Sequence, residues 1–208
     1  MEIKTVHLGF INENCYLVSS DNAAIVIDPG YYSDEITAFL KDNSSKERLI
    51  MLTHCHFDHI GAAKKLSETA GVKIAIGRLD DDGLSNPSYN LSSTFRTHLE
   101  PFNADILLED GNIVTVGDLK IKVILTPGHT KGSVCYLIGN NLFSGDTLFY
   151  ESFGRTDFPG GSEEEIINSF YKLITKLDKT VKVFPGHDDP TTIEHEAEFN
   201  PLLDMSLL

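Results

Sequence analysis

The stretch THCHFDH, residues 53–59, follows the apolar run LIML (49–52) and packs three of the chain's eight histidines and an aspartate into seven positions. The run reads as a buried strand and the residues after it as a strand-to-helix corner. Three imidazoles and a carboxylate at such offsets have no packing role at a corner, because a buried polar group costs free energy unless it is paired. Imidazole with carboxylate suits zinc, iron or manganese, whereas calcium and magnesium call for oxygen alone. His54 and His56, two apart on an extended loop, can lean toward one ion. Asp58 and His59, at the start of the next helix, can hold a second beside it.

Working outward, three more apolar strand-like runs end in ligand-type residues. IKVIL (121–125) leads into TPGH at His129, LF (142–143) into SGD at Asp146, and VKVF (181–184) into PGH at His187. If these strands lie side by side with LIML and share its direction, their C-terminal ends converge at one edge, where open α/β sheets place ligands. Gly128, Gly145 and Gly186 immediately precede three of these residues, which helps tight turns aim the side chains inward. Five histidines and two aspartates suit two metals about 3.5–4 Å apart sharing one carboxylate, and Asp146 is the natural bridge. His7, His98 and His195 lack such company and read as surface or structural.

Strand and helix patterns alternate through the rest of the chain. CYLVSS, AAIVID, VKIAIG, DILL, NIVTV, LKIKVIL, SVCYLIG and NLFSG read as strands. SDEITAFL reads as a helix opened by Ser33, IGAAKKLSETAG as one stopped near Gly71, and TIEHEAEF as a last one. The clearest helix is SEEEIINSFYKLITKL, with Ser162 and Glu165 as a capping box and Ile166, Ile167, Phe170, Leu173, Ile174 and Leu177 on one face. Residues 80–101 read as a loop with one helical turn.

Hydrophobic residues make up 41% and charged residues 23% of 208, enough apolar material for a folded core and suited to one domain over 1–208. No apolar run is long enough to span a bilayer, and MEIKTVHLGF lacks the basic end and apolar core of a signal peptide, so a cytoplasmic location is expected. Cys15, Cys55 and Cys135 are too few and too scattered for a disulfide framework. Seventeen basic residues against 31 acidic ones give a net charge of −14, which argues against nucleic acid as a partner. A small anionic substrate remains compatible, because metal ions or one arginine can reverse the field locally.

The ordered motifs THCHFDHIGA, TPGHTKGSVCYL, FSGDTLF and FPGH, with IDPG at 27–30, resemble those of the metallo-β-lactamase fold over nearly the whole chain. The resemblance implies an α/β protein built as an αββα four-layer sandwich of two similar halves, with the metal site at one edge between the sheets. It implies His54, His56 and His129 on one metal, Asp58, His59 and His187 on the other, and Asp146 bridging. Asp28 is either an orienter of a ligand or a strand-end turn residue ahead of Pro29.

Within that superfamily, GDTLFYESFGRTDFPGGS (145–162) and PGHDDPTTIEHEAEFNPLL (185–203) resemble the short type of glyoxalase II, the hydroxyacylglutathione hydrolases. The implied function is hydrolysis of a small acyl thioester by a hydroxide bridging two divalent metal ions, zinc first, with iron or manganese as alternatives. Asp58 then holds metal and orients the hydroxide. Arg155 either meets an anionic substrate or forms a structural ion pair with Asp157. That aspartate stands where the family has a tyrosine, so the thiol carrier stays open. The alternative function is a persulfide dioxygenase of the same fold, which the chain resembles in THCHFDH and GRTDF, with one iron on His54, His129 and Asp146. Lactonase, phosphodiesterase and non-catalytic metal binding rank lower. β-Lactamase activity is not expected, since those enzymes usually lack the bridging aspartate and are exported.

Overall fold

The computed structural model describes residues 1–205. A first sheet follows the chain in order: β1 (Glu2–Leu8), β2 (Glu13–Ser19), β3 (Ala23–Ile27), β4 (Glu47–Leu52), β5 (Lys73–Gly77) and β6 (Ile106–Leu108). β1 to β3 pair antiparallel and β3 to β6 parallel. The apolar runs of β3, β4 and β5 are continuous because both faces of these strands are covered, the usual state of parallel strands. Parallel pairing needs crossovers, and helices α1 (Asp34–Asp42), α2 (Phe57–Ile60) and α3 (Ala63–Ala70) lie on two of them.

The second sheet is built from β7 (Ile113–Val116), β8 (Leu119–Leu125), β9 (Val134–Ile138) and β10 (Asn141–Gly145). A two-stranded ribbon, β11 (Leu148–Phe149) and β12 (Ser152–Phe153), interrupts it before β13 (Lys182–Pro185) and β14 (Thr191–Thr192) complete it. Its spatial order is β14-β13-β10-β9-β8-β7. Helices α4 (Glu163–Lys176), α5 (Ile193–Phe199) and α6 (Leu202–Met205) cover its outer face.

Three apolar layers establish the four-layer sandwich. Ile25, Ile27 and Met51 from the first sheet meet Ile121, Val123, Tyr136 and Phe143 from the second in a central core. Ile36, Leu40 and Leu66 of the helices pack on the outside of the first sheet, and Ile166, Phe170 and Leu173 of α4 on the outside of the second. Among the described residues no helix is long and apolar enough to cross a membrane.

Several sequence expectations need correction. The four ligand-bearing strands do not lie side by side: β4 belongs to the first sheet, whereas β8, β10 and β13 share a direction in the second, with β9 between β8 and β10. The segment after the histidine motif is not one helix, because the Ala62 amide donates to Pro29 at 2.9 Å and breaks the ladder between α2 and α3. Only half of the capping box at Ser162 forms. Its hydroxyl accepts from the Glu165 amide at 3.3 Å, but its own amide donates to Gly128 at 2.8 Å and ties α4 to the loop before His129. The helical turn expected in the 80–101 loop is a 3₁₀ stretch, Arg78–Ser85, whereas strand β1 is an element that the sequence reading lacks.

Two buried tyrosines clasp the sheets in opposite senses. Tyr136 of β9 donates its hydroxyl to Leu52 of β4 at 2.6 Å, and Tyr16 of β2 donates to Pro185 of β13 at 2.5 Å. Each accepting carbonyl lies two residues before a histidine of the motifs, His54 or His187. Tyr136→Phe removes this bond between the sheets, at a carbonyl that the β4–β5 ladder also engages, and is expected to cost about 1 kcal/mol in urea unfolding of metal-stripped protein. An unchanged midpoint would mean that the bond adds nothing to stability.

Candidate metal centre

His54 and His56 leave the end of β4, Asp58 and His59 lie on α2, and His129, Asp146 and His187 follow β8, β10 and β13. All seven side chains meet at the seam between the sheets. His54, His56 and His129 form one group of mutually close ligand atoms, and Asp58, His59 and His187 form another. Asp146 lies between them. Its Oδ1 is 3.3 Å from His59 Nε2, and its Oδ2 is 3.4 Å from His129 Nε2 and 3.7 Å from His187 Nε2. Asp58 Oδ2 is 3.6 Å from His59 Nε2 and 3.4 Å from His187 Nε2.

The donor chemistry fits a pair of cations. The Nε2 atoms of His54, His56 and His59 and Oδ1 of Asp146 are buried without a hydrogen-bond partner, which proteins rarely tolerate, and each is a ligand-type atom. His56 Nδ1 and His129 Nε2 face each other at 2.8 Å. Burial, with His59 and His56 nearby, pushes His54 well below the usual imidazole range, and burial with His129 beside it pushes His56 down to about 3. Both therefore offer neutral lone pairs. Burial also opposes charge on His59, but Asp146 and Asp58 outweigh it and raise this residue well above that range. Burial would raise Asp146, yet His59 and His187 hold it well below the usual carboxylate range. These carboxylates draw positive charge into a buried place, which is the electrostatic condition for a metal.

The ring orientations are fixed from behind. His59 Nδ1 donates to Asp28 at 3.0 Å, and the same carboxylate accepts from the Thr53 amide at 2.7 Å and hydroxyl at 2.6 Å. Asp28 thus joins β3 to both β4 and α2 and leaves His59 Nε2 facing the centre, an arrangement that holds metal-binding imidazoles in register. His129 Nδ1 donates to the Arg155 carbonyl at 2.7 Å, which likewise turns its Nε2 inward. Gly186 is required by space, because a Cβ there would collide with Asp146 Oδ1 and His59.

Asp80 has a comparable task that the sequence did not reveal. Fully buried in the 3₁₀ stretch, it accepts from the Cys55 amide at 3.0 Å, the Thr130 hydroxyl at 2.7 Å and the Gly132 amide at 2.9 Å. It therefore pins the loop of His54 and His56 to the loop of His129, one from each sheet. A lone aspartate in DDDG carried no signal of this. The remaining histidines lie away from the centre: His7 pairs with Asn14, and His195 with Glu151.

A cavity of about 460 Å³ opens over these ligands. Arg155 lines it, with its guanidinium held by Asp157 through two hydrogen bonds of 2.6 Å and stacked 3.9 Å over the Phe158 ring.

Residues 8–187 match the model of the metallo-beta-lactamase superfamily, and the chain belongs to that superfamily. It is similar to the probable metallo-hydrolase YqgX of Bacillus subtilis (strain 168), 31% identical over 98% of each chain. It is also 30% identical to the probable polyketide biosynthesis zinc-dependent hydrolase PksB of the same organism, over 89% of this chain and 76% of that one. Among solved structures, the BLEG-1 B3 metallo-beta-lactamase superposes with a TM-score of 0.89 at 36% identity, covering 97% of this chain and 99% of that chain. The di-iron-bound form of TTHA1623 gives 0.84 at 31%, covering 95% and 98%. ETHE1 from Myxococcus xanthus gives 0.76 at 27%, covering 97% and 84%.

Because Asp146 faces both groups, Asp146→Ala is expected to lower the metal content of purified protein from about two ions per chain to near none, whereas His187→Ala retains about one. Elemental analysis of both variants is the check. Full loading of Asp146→Ala would show that the groups hold ions independently.

Proposed function

We propose that the protein hydrolyses a small acyl thioester, in the manner of the short glyoxalase II enzymes, with two divalent ions held by His54, His56 and His129 and by Asp58, His59 and His187, and with Asp146 shared. The observation that carries this reading is the convergence of two ligand groups on one carboxylate beneath an open cavity. Zinc is the first choice of metal, with iron or manganese as alternatives. When bound, the ions supply Lewis acidity and a water ionised near neutral pH.

The side chains do the rest. Asp58 lines the cavity and is held ionised, since His59 and His187 outweigh the effect of its burial. It is placed to accept a hydrogen bond from the attacking water and aim the lone pair at the thioester carbonyl. The C–O bond forms, the C–S bond breaks, and a thiolate leaves with a conjugate acid of pKa about 8.5, so no dedicated general acid is needed. That suits a site whose polar groups are nearly all ligands. Arg155, on the cavity wall, is our substrate-contacting residue. A substrate anion reaching its guanidinium takes the place of Asp157, exchanging one two-bond carboxylate pair for another.

The persulfide dioxygenase reading has support in the likeness to ETHE1 and needs only His54, His129 and Asp146. It gives no role to His187, which β13 places against Asp58. The double variant Asp58→Ala/His59→Ala separates the two. The hydrolase reading expects one metal and a loss of thioesterase activity by orders of magnitude. Wild-type oxygen uptake on glutathione persulfide without turnover of an acyl-glutathione would reverse the ranking, and a chromogenic cephalosporin in the same assay tests β-lactam opening. Arg155→Lys is expected to raise KM several-fold with kcat little changed, since lysine cannot copy the two-bond grip. Normal KM with a lowered melting temperature would make Arg155 structural.

A further inference from the structure

The cavity walls beside the ligands are aromatic. On one side Phe57 and Phe95 stack at 4.9 Å and 30°, Phe158 meets Phe95 edge-on at 6.4 Å, and Phe158 in turn meets His56 at 5.9 Å. On the other side Phe153 lines the cavity, and Phe149 stands edge-on to His187 at 6.2 Å. Ile11 closes the lining near the mouth. Rings thus run from the mouth to a metal-binding imidazole of each group. Phe95 and Ile11 remain 45% and 39% exposed, so the protein leaves much of this apolar surface uncovered at its own site.

The charges near the walls leave little for a polar group to bind. Arg155 and its partner Asp157 are both more than half exposed, so this guanidinium meets an anion, by exchange with Asp157, at the mouth and not along the rings. The other polar side chains lining the cavity are the ligands themselves. A hydroxylated or charged acyl group placed along the rings would lose hydration without gaining a partner. A thiolate departing among the rings would pay the same penalty, so the carrier side of the substrate belongs at the mouth and the acyl side along the rings.

We infer that this chamber selects a neutral, apolar acyl group, a chain of several carbons or an aryl-acyl group, in preference to acetyl or 2-hydroxyacyl groups. The inference rests on the thioester reading for its reaction, but the binding preference stands on the walls alone. Anionic character in the substrate then belongs to the carrier, within reach of Arg155 near the mouth.

The experiment has two arms on metal-loaded protein. In the first, thioesters of N-acetylcysteamine from acetyl to octanoyl, with phenylacetyl and lactoyl, are hydrolysed. The expected kcat/KM rises roughly fourfold per methylene over the first few carbons, with phenylacetyl far above lactoyl. In the second, acetate, butyrate, hexanoate and octanoate are titrated by calorimetry, which needs no turnover, and Kd is expected to fall with each added methylene. Phe95→Ser, a change at a partly exposed ring, is expected to flatten both series, and Phe95→Leu to keep most of the slope. Affinity that stays flat or weakens with chain length in calorimetry would overturn the chamber, whatever the turnover. Tightening with chain length but no thioester hydrolysis would uphold the chamber and overturn the reaction.

Discussion

Asp146 carries a buried negative charge between two clusters of imidazoles, and the arrangement of the seam between the sheets follows from keeping that charge compensated. Its oxygens lie 3.3–3.7 Å from His59, His129 and His187, which come from three different chain segments. A carboxylate moved from water into a protein interior loses several kcal/mol of hydration unless cations or donors replace the water. Asp146 and Asp58 draw His59 toward its protonated form, whereas burial drives His54 and His56 to neutrality. Cations held here would compensate the same buried charge, which couples metal binding to the stability of the seam.

The seam is held in register by bonds that cross it. Tyr136 and Tyr16 reach between the sheets, the Val134 amide donates to Thr53 at 2.9 Å, and the Asn14 amide donates to Gly186 at 2.8 Å. Asp80 and Asp28 then fix the loops from behind. Each of these bonds ends within a few residues of a ligand. The outer helices stabilise the sheets, but it is this crossing set that turns two buried faces into one site. Above it the cavity walls are largely aromatic, so the groups below face apolar side chains on their open side.

The sequence by itself determined the fold class and named the seven ligand-type side chains that the fold brings together. Histidines and aspartates at strand ends are visible because a metal needs particular atoms, and those atoms occur in few residue types. The central strands were legible for a related reason, since buried strands must be apolar in unbroken runs or in strict alternation. Elements without such a demand were missed: β1 and β14 at the sheet edges, and the break between α2 and α3 made by a hydrogen bond from Ala62 to Pro29.

What only the tertiary structure decided is which groups face each other. The sequence set four strand ends converging on one sheet edge, whereas β4 comes from one sheet and β8, β10 and β13 from the other. The roles of Asp80 and Tyr136 and the aromatic path from Phe95 to His56 join residues dozens of positions apart. An aspartate or a phenylalanine has many possible uses, and its neighbours across the seam select one. Ligand chemistry is local and is written along the chain; orientation and the lining of the cavity are pairwise geometry, which exists only once the two sheets have closed on each other.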